Sequence, residues 1–332
     1  MTFDQIISDL QKKIYYPVYF LSGEEPYYID EISSFIENNI LPESEKGFNQ
    51  TVIYGKDSDV ESIMSYAKRF PMMSNYQLVI VKEAQDVNNI EELAPYIQNP
   101  LKSTILVLCY KYKKFDKRKS LAKNIIKTGV FFESKKLYEN QISGWINEYL
   151  RKQDYTITTK ANLLLSQYLG TDLSKITNEI GKLCINVPKK TQINEDHIEK
   201  NIGISKDFNV FELQKALGSR DIYKANQIIN YFAANLKENP IVKVVSILYG
   251  FFSKIMLYHY LKNKSRNEVA SALSINPFFV NDFQIGARNY NIKKLAKVIS
   301  CLREYDLKSK GVESISTSDG DLYKEMIYKI LH

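Results

Sequence analysis

Cysteine, histidine and glycine-rich phosphate motifs are all scarce in this chain. The 332 residues hold three cysteines, Cys109, Cys184 and Cys301, far apart in sequence. An odd, scattered set builds no disulfide framework, and without a C-x-x-C pair there is no zinc spacing. With only His197, His259 and His332, histidine-based metal chemistry lacks a ligand set, and no metal site is expected. His197 follows an acidic helix start and is expected at the surface; His259, between Tyr258 and Tyr260, is expected to be a satisfied core residue. No G-x-S-x-G elbow occurs, and three dispersed histidines do not define a Ser–His–Asp grouping. Residues 2–13 are polar and amphipathic rather than leader-like, and apolar runs such as 244–252 fall well short of the ~20 residues that span a bilayer. These absences point to a cytoplasmic protein with no membrane partner and no catalytic residues.

What is present is globular in composition: 44% hydrophobic and 25% charged residues, with a mean hydropathy of −0.30. The length suits two or three domains. Up to about residue 140, short apolar runs at 18–22, 50–54, 77–81, 104–109 and 130–133 alternate with helical patterns at 29–39, 59–69, 90–97 and 118–127. That alternation predicts a parallel sheet covered by helices on both faces. Over 141–206 only helices are expected (142–153, 159–169, 172–183, and a short one capped by Asn194), and 207–332 reads as helical throughout. The fold class is therefore α/β plus all-α, with domains at 1–140, 141–206 and 207–332.

The turn after the first strand is where such a fold would hold phosphates. It reads Gly23-Glu24-Glu25-Pro26-Tyr27-Tyr28-Ile29-Asp30. Counted along G-x-x-x-x-G-K-[ST] from Gly23, Tyr28 replaces the second glycine, Ile29 the lysine and Asp30 the hydroxyl residue. Lys82, directly after the central strand, stands where an ATPase carries a magnesium-orienting aspartate. Two independent departures make ATP hydrolysis improbable, and no cofactor is expected.

Two features remain without a role. Phe70, Pro71, Met72 and Met73 put large apolar side chains on a helix–strand connection, where loops are normally polar. They need burial, either in their own domain or in a partner's groove, a setting that suits methionine. The formal charge is +7, and residues 1–140 hold 18 basic and 19 acidic residues against 19 and 12 in 206–332. Within the first segment, Lys111, Lys113, Lys114, Lys117, Arg118 and Lys119 form a basic cluster that reads either as a solvated face or as a contact for nucleic-acid phosphates.

Taken in order along the chain, these segments resemble the delta subunit of the bacterial DNA polymerase III clamp loader. The likeness rests on Val18 through Pro26, on Phe70-Pro71-Met72-Met73-Ser74 leading into Leu78–Val81, and on Lys113 through Lys119. It continues through Gly170-Thr171-Asp172-Leu173, 178–183, Val210-Phe211-Glu212-Leu213, Asn276-Pro277-Phe278-Phe279 and Asp306-Leu307-Lys308. The resemblance implies an AAA+-like α/β domain, a helical lid and a C-terminal helical collar for oligomerisation. It also implies a subunit that is no enzyme by itself, within a DNA-directed DNA polymerase holoenzyme, and that binds no ATP. Its partners would be the beta sliding clamp, tau/gamma and delta-prime subunits, and primer-template DNA. Phe70, Pro71, Met72 and Met73 would enter a hydrophobic pocket on the clamp, with Met72 and Met73 standing where relatives place bulkier Leu or Phe. The rival readings are a DNA-binding adaptor that acts without a clamp, and an active ATPase of the same fold.

Overall fold

A computed structural model describes residues 1–312 and 317–332. It divides into two compact units, 1–154 with 165–181, and 155–164 with 182–332.

The first unit is built on five parallel strands, β1 (Val18–Gly23), β2 (Gln50–Tyr54), β3 (Gln77–Lys82), β4 (Thr104–Lys111) and β5 (Val130–Ser134). Their order is β2-β3-β4-β1-β5. The three central strands are buried along nearly their whole length, whereas β5 alternates and β2 is half exposed, as edges require. Alternate residues feed opposite faces. Tyr19, Leu21, Leu78, Ile80, Val107 and Cys109 pack with α1 (Phe3–Gln11) and α2 (Pro26–Asn39). Val18, Phe20, Val79, Val81, Leu106 and Leu108 form the opposite core, with α4 (Val60–Ala67), α5 (Ala94–Gln98) and α6 (Ser120–Thr128). Between α2 and β2 lies α3 (Glu43–Asn49), and α7 (Glu139–Arg151) follows β5.

All five predicted strands are present, with β4 reaching Lys111. The helix expected over 90–97 is a 3-10 turn (Ile90–Leu93) followed by α5, because Pro95 suits only a first helical turn. Short α1 and α3 were not foreseen; each has only two or three turns and a largely polar sequence.

Next along the chain come α8 (Thr159–Leu169), α9 (Leu173–Asn186) and α10 (Glu195–Ile202). A pair of two-residue parallel strands, β6 (Thr156–Ile157) and β7 (Gln192–Ile193), interrupts a stretch expected to be purely helical. The second unit continues with α11 (Val210–Ser219), α12 (Ile222–Ala234), α13 (Ile241–Tyr260), α14 (Arg266–Ala272), α15 (Val280–Asn289), α16 (Ile292–Ser309) and α17 (Asp319–Leu331), while 165–181 of α8 and α9 belongs to the first. By length and composition α13 is apolar enough to cross a membrane, with a mean hydropathy of 1.6. In the fold it is a core helix, burying Ile241, Val244, Val245, Leu248, Phe251, Phe252, Ile255 and Tyr258. His259 hydrogen-bonds to the Tyr290 carbonyl at 2.8 Å, and His197 joins Asn194 in a capping box.

Candidate functional site

The connection between α4 and β3 is anchored at its base and bare at its tip. Helix α4 stops at Ala67, whose carbonyl accepts hydrogen bonds from Tyr96 (3.0 Å) and Thr104 (2.9 Å). Beyond it the Arg69 guanidinium lies over the Tyr66 ring. Phe70, Met72 and Met73 are 75%, 63% and 101% exposed, and Pro71 is partly buried. These side chains are therefore not taken up by their own domain. The backbone beneath them is held: the Met72 N–H donates to Asn49 Oδ1 at 2.7 Å, and Asn49 Nδ2 donates to the Met72 carbonyl at 2.9 Å. Asn49 itself is 1% exposed. Met73 has φ +52°, in the left-handed region that non-glycine residues seldom adopt. Past the tip, Ser74 bonds to Tyr76, which sets its ring edge-on to Tyr15.

The sequence did not single out Asn49, since its partner lies 23 residues away and is backbone rather than side chain. Phe48, exposed one residue earlier, had a usable signal: it is the one large apolar residue in the polar run 43–50.

The turn after β1 is occupied by the chain's own groups. A phosphate loop works by offering free backbone N–H groups at a helix N-terminus. Here the Gly23 N–H donates to the Lys113 carbonyl at 3.1 Å and the Glu24 N–H to the Ser134 carbonyl at 3.3 Å. Gly23 has φ +133°, and a Cβ there would stand 2.1 Å from the Ser134 oxygen, so only glycine fits. The N-terminus of α2 is capped by the Glu25 carboxylate, which accepts from the Tyr27 N–H at 3.2 Å and is buried enough for its pKa to rise. A carboxyl group thus already occupies the helix N-terminus where a phosphate would go. Tyr28 packs on Phe3 and Tyr27, and its hydroxyl accepts from Trp145 Nε1 at 2.8 Å; Ile29 is buried in the core. Lys82 pairs with Glu37 at 2.7 Å.

The last residue of this set, Asp30, meets Lys111 at 2.7 Å, and the same ammonium reaches Glu83 at 3.0 Å. Lys111 is buried, and its backbone N–H is bound by Gln85 at 2.9 Å. Burial alone would lower its pKa, but Asp30 and Glu83 more than reverse that and hold it above the usual lysine range. The sequence grouped Lys111 with the surface charges. The structure removes it from them and makes it the centre of a carboxylate–lysine–carboxylate bridge.

The other basic residues are exposed, and most are paired. Lys117 meets Glu133 at 2.5 Å, Arg118 binds Asp116 through two nitrogens, Lys119 contacts Glu91, and Lys114 lies 3.5 Å from Glu24. Lys113 has no ion pair among the described residues and offers an open charge.

Five parallel strands flanked by helices, with the turn after β1 filled by the chain's own groups and an apolar tip exposed between α4 and β3, define an α/β protein whose phosphate turn is closed. Comparisons with known proteins narrow this. A family model for the DNA polymerase III delta subunit matches residues 19–135, and one for that subunit's C-terminal domain matches 207–317. DNA polymerase III subunit delta of Bacillus subtilis (strain 168) is 29% identical over 322 residues, 93% of this chain and 92% of that protein. The solved structure of the Bacillus subtilis DNA clamp loader delta protein superposes with a TM-score of 0.57 at 26% identity, covering 99% of each chain. The chain belongs to the DNA polymerase III delta-subunit family.

Proposed function

We propose that this chain is the delta subunit of a DNA polymerase III clamp loader: it binds the beta sliding clamp and opens it for loading onto primed DNA. The observation that carries this is the tip, with Phe70, Met72 and Met73 exposed on a backbone fixed by buried hydrogen bonds. A soluble fold seldom leaves three neighbouring large apolar side chains bare unless another surface takes them. Burying about 250 Å² of such surface at about 25 cal/mol/Å² yields about 6 kcal/mol before the costs of association. That is enough to dock on a clamp and to favour its open form, and too little to drive repeated cycles.

Energy for the cycle would come from ATP on neighbouring tau/gamma subunits. The plugged turn at Gly23, Glu25 and Tyr28 supports a delta subunit without ATPase activity of its own. In this reading 1–140 is the AAA+-like domain, 141–206 the lid and 207–332 the collar that joins tau/gamma and delta-prime. Lys113, Lys114, Lys117, Arg118 and Lys119 face primer-template DNA, and the protein works in the cytoplasm.

The test is a double substitution, Met72→Ala with Met73→Ala, in the full chain. Clamp binding measured by calorimetry should fall at least about a hundredfold, about 2.7 kcal/mol, with unchanged circular dichroism and unchanged assembly with the other loader subunits. Wild-type clamp affinity in that variant removes the tip from the mechanism.

A further inference from the structure

We propose that Asn49 is a positioning residue for the clamp-binding tip: it fixes the Met72 backbone so that Met72 and Met73 are held out before the clamp arrives. The inference rests on the tip being the clamp contact, and it adds a residue that touches no partner and lies in a different element.

Asn49 ends α3 and is buried, yet its side chain serves no helix cap and no core polar cluster. Both ends of its amide go to one residue 23 positions away, accepting from the Met72 N–H at 2.7 Å and donating to the Met72 carbonyl at 2.9 Å. Its second amide hydrogen goes to the Glu45 carbonyl at 3.2 Å, which ties the clasp to the preceding turn of α3. The amide is thereby fixed in one orientation, since a flipped amide would face donor with donor and acceptor with acceptor.

A two-point clasp on a loop backbone fixes the peptide planes on both sides of it. The next residue, Met73, sits at φ +52° and is wholly exposed. A methionine occupies that region only when its surroundings impose it. Nothing packs on the Met73 side chain to do so, which leaves the backbone grip at Met72. Ordering a free loop costs affinity at the moment of binding, and a clasp formed within the free subunit moves that cost into folding. Asn49 thus acts on clamp affinity through loop order, without contributing contact area.

The experiment measures the full chain carrying Asn49→Ala, Asn49→Asp or the Met72→Ala/Met73→Ala pair against a bacterial beta clamp. Calorimetry is combined with thermal unfolding and with amide exchange over 69–76. Asn49→Ala should weaken clamp binding about tenfold, equivalent to about 1.4 kcal/mol. It should also speed exchange of the Met72 amide while leaving the sheet protected and the unfolding temperature near wild type. Asn49→Asp keeps an acceptor for the Met72 N–H but sets a carboxylate oxygen against the Met72 and Glu45 carbonyls, and should weaken clamp binding at least as much as Asn49→Ala. Wild-type affinity in Asn49→Ala, with binding lost in the methionine pair, overturns the positioning role and leaves the tip as the contact. Wild-type affinity in all three variants overturns the tip itself. Should either substitution at Asn49 lower the unfolding temperature, the clamp affinity is compared with that temperature across the variants. Weaker binding at a wild-type unfolding temperature supports the clasp; affinity that only tracks the unfolding temperature overturns it.

Discussion

At the scale of single residues, Lys111 ties the end of β4 to two other elements of the first unit. A lone ammonium inside a sheet would be costly, and here two carboxylates from separate elements meet it, Asp30 on α2 and Glu83 just after β3. Lys111→Met should lower stability by about 2 kcal/mol in urea denaturation, less than a fully dry bridge would cost because Asp30 is half exposed. The pH dependence follows from the partners. For Glu83, burial acts to raise the pKa, but the Gln85 amide and the Lys111 ammonium outweigh it and hold the carboxyl below its ordinary 4.5. Its contribution is complete above that ordinary value and fades as pH falls through the lower folded one. Lys111, held high, keeps its contribution at neutral pH and loses it only in strong alkali as pH rises through its folded value. Glu83→Gln should therefore flatten the acid limb of the stability profile and leave the region between pH about 6 and 8 parallel to wild type. An unchanged acid limb would show that the bridge contributes nothing to folding.

At the scale of elements, periodicity gave the five strands and most of the long helices their places, because buried parallel strands are continuous apolar runs and amphipathic helices repeat. The tip was also visible as four residues out of keeping with a loop. Its presentation was not, since the Asn49 clasp joins a side chain to backbone across 23 residues. Lys111 was misplaced for a related reason: it ends a strand that runs two residues past its apolar stretch, so it looked like the start of a basic loop. Helix α13 shows what sequence can and cannot say. Its apolar run at 244–252 was legible, but only the fold separates the buried side from the outer stripe of Val242, Tyr249, Leu257 and Tyr260. In the proposed collar that stripe is the surface left for a neighbouring subunit. Tyr249→Glu with Leu257→Glu should abolish co-elution with the other loader subunits in gel filtration and keep the monomer's unfolding temperature within about 3 °C, as surface changes usually do. Intact assembly would put the collar contact on another face.

At the scale of the whole molecule, net charge says less about a nucleic-acid surface than the pairing of individual charges does. The chain is +7, yet residues 1–140 are balanced at 18 basic and 19 acidic, so the basic cluster there sits among compensating carboxylates. Paired exposed charges are individually weak and can exchange a carboxylate for a phosphate, but each exchange releases a carboxylate as well as counterions. Charges without a close partner should therefore dominate the salt dependence of DNA binding. Lys113 has none among the described residues, and Lys114 has only a 3.5 Å contact, whereas Lys117, Arg118 and Lys119 are held more tightly. Replacing Lys113 and Lys114 with alanine should make the slope of log K against log salt shallower by about 1.5, since each lost phosphate contact removes about 0.7–0.9. Lys111→Met should leave that slope unchanged, because its ammonium is engaged inside the domain. The measurement is fluorescence anisotropy on primer-template DNA with the assembled loader at several salt concentrations. Superimposable slopes for the double variant and wild type would take this segment off the DNA path, and a shallower slope for Lys111→Met would mean that the bridge opens when DNA binds.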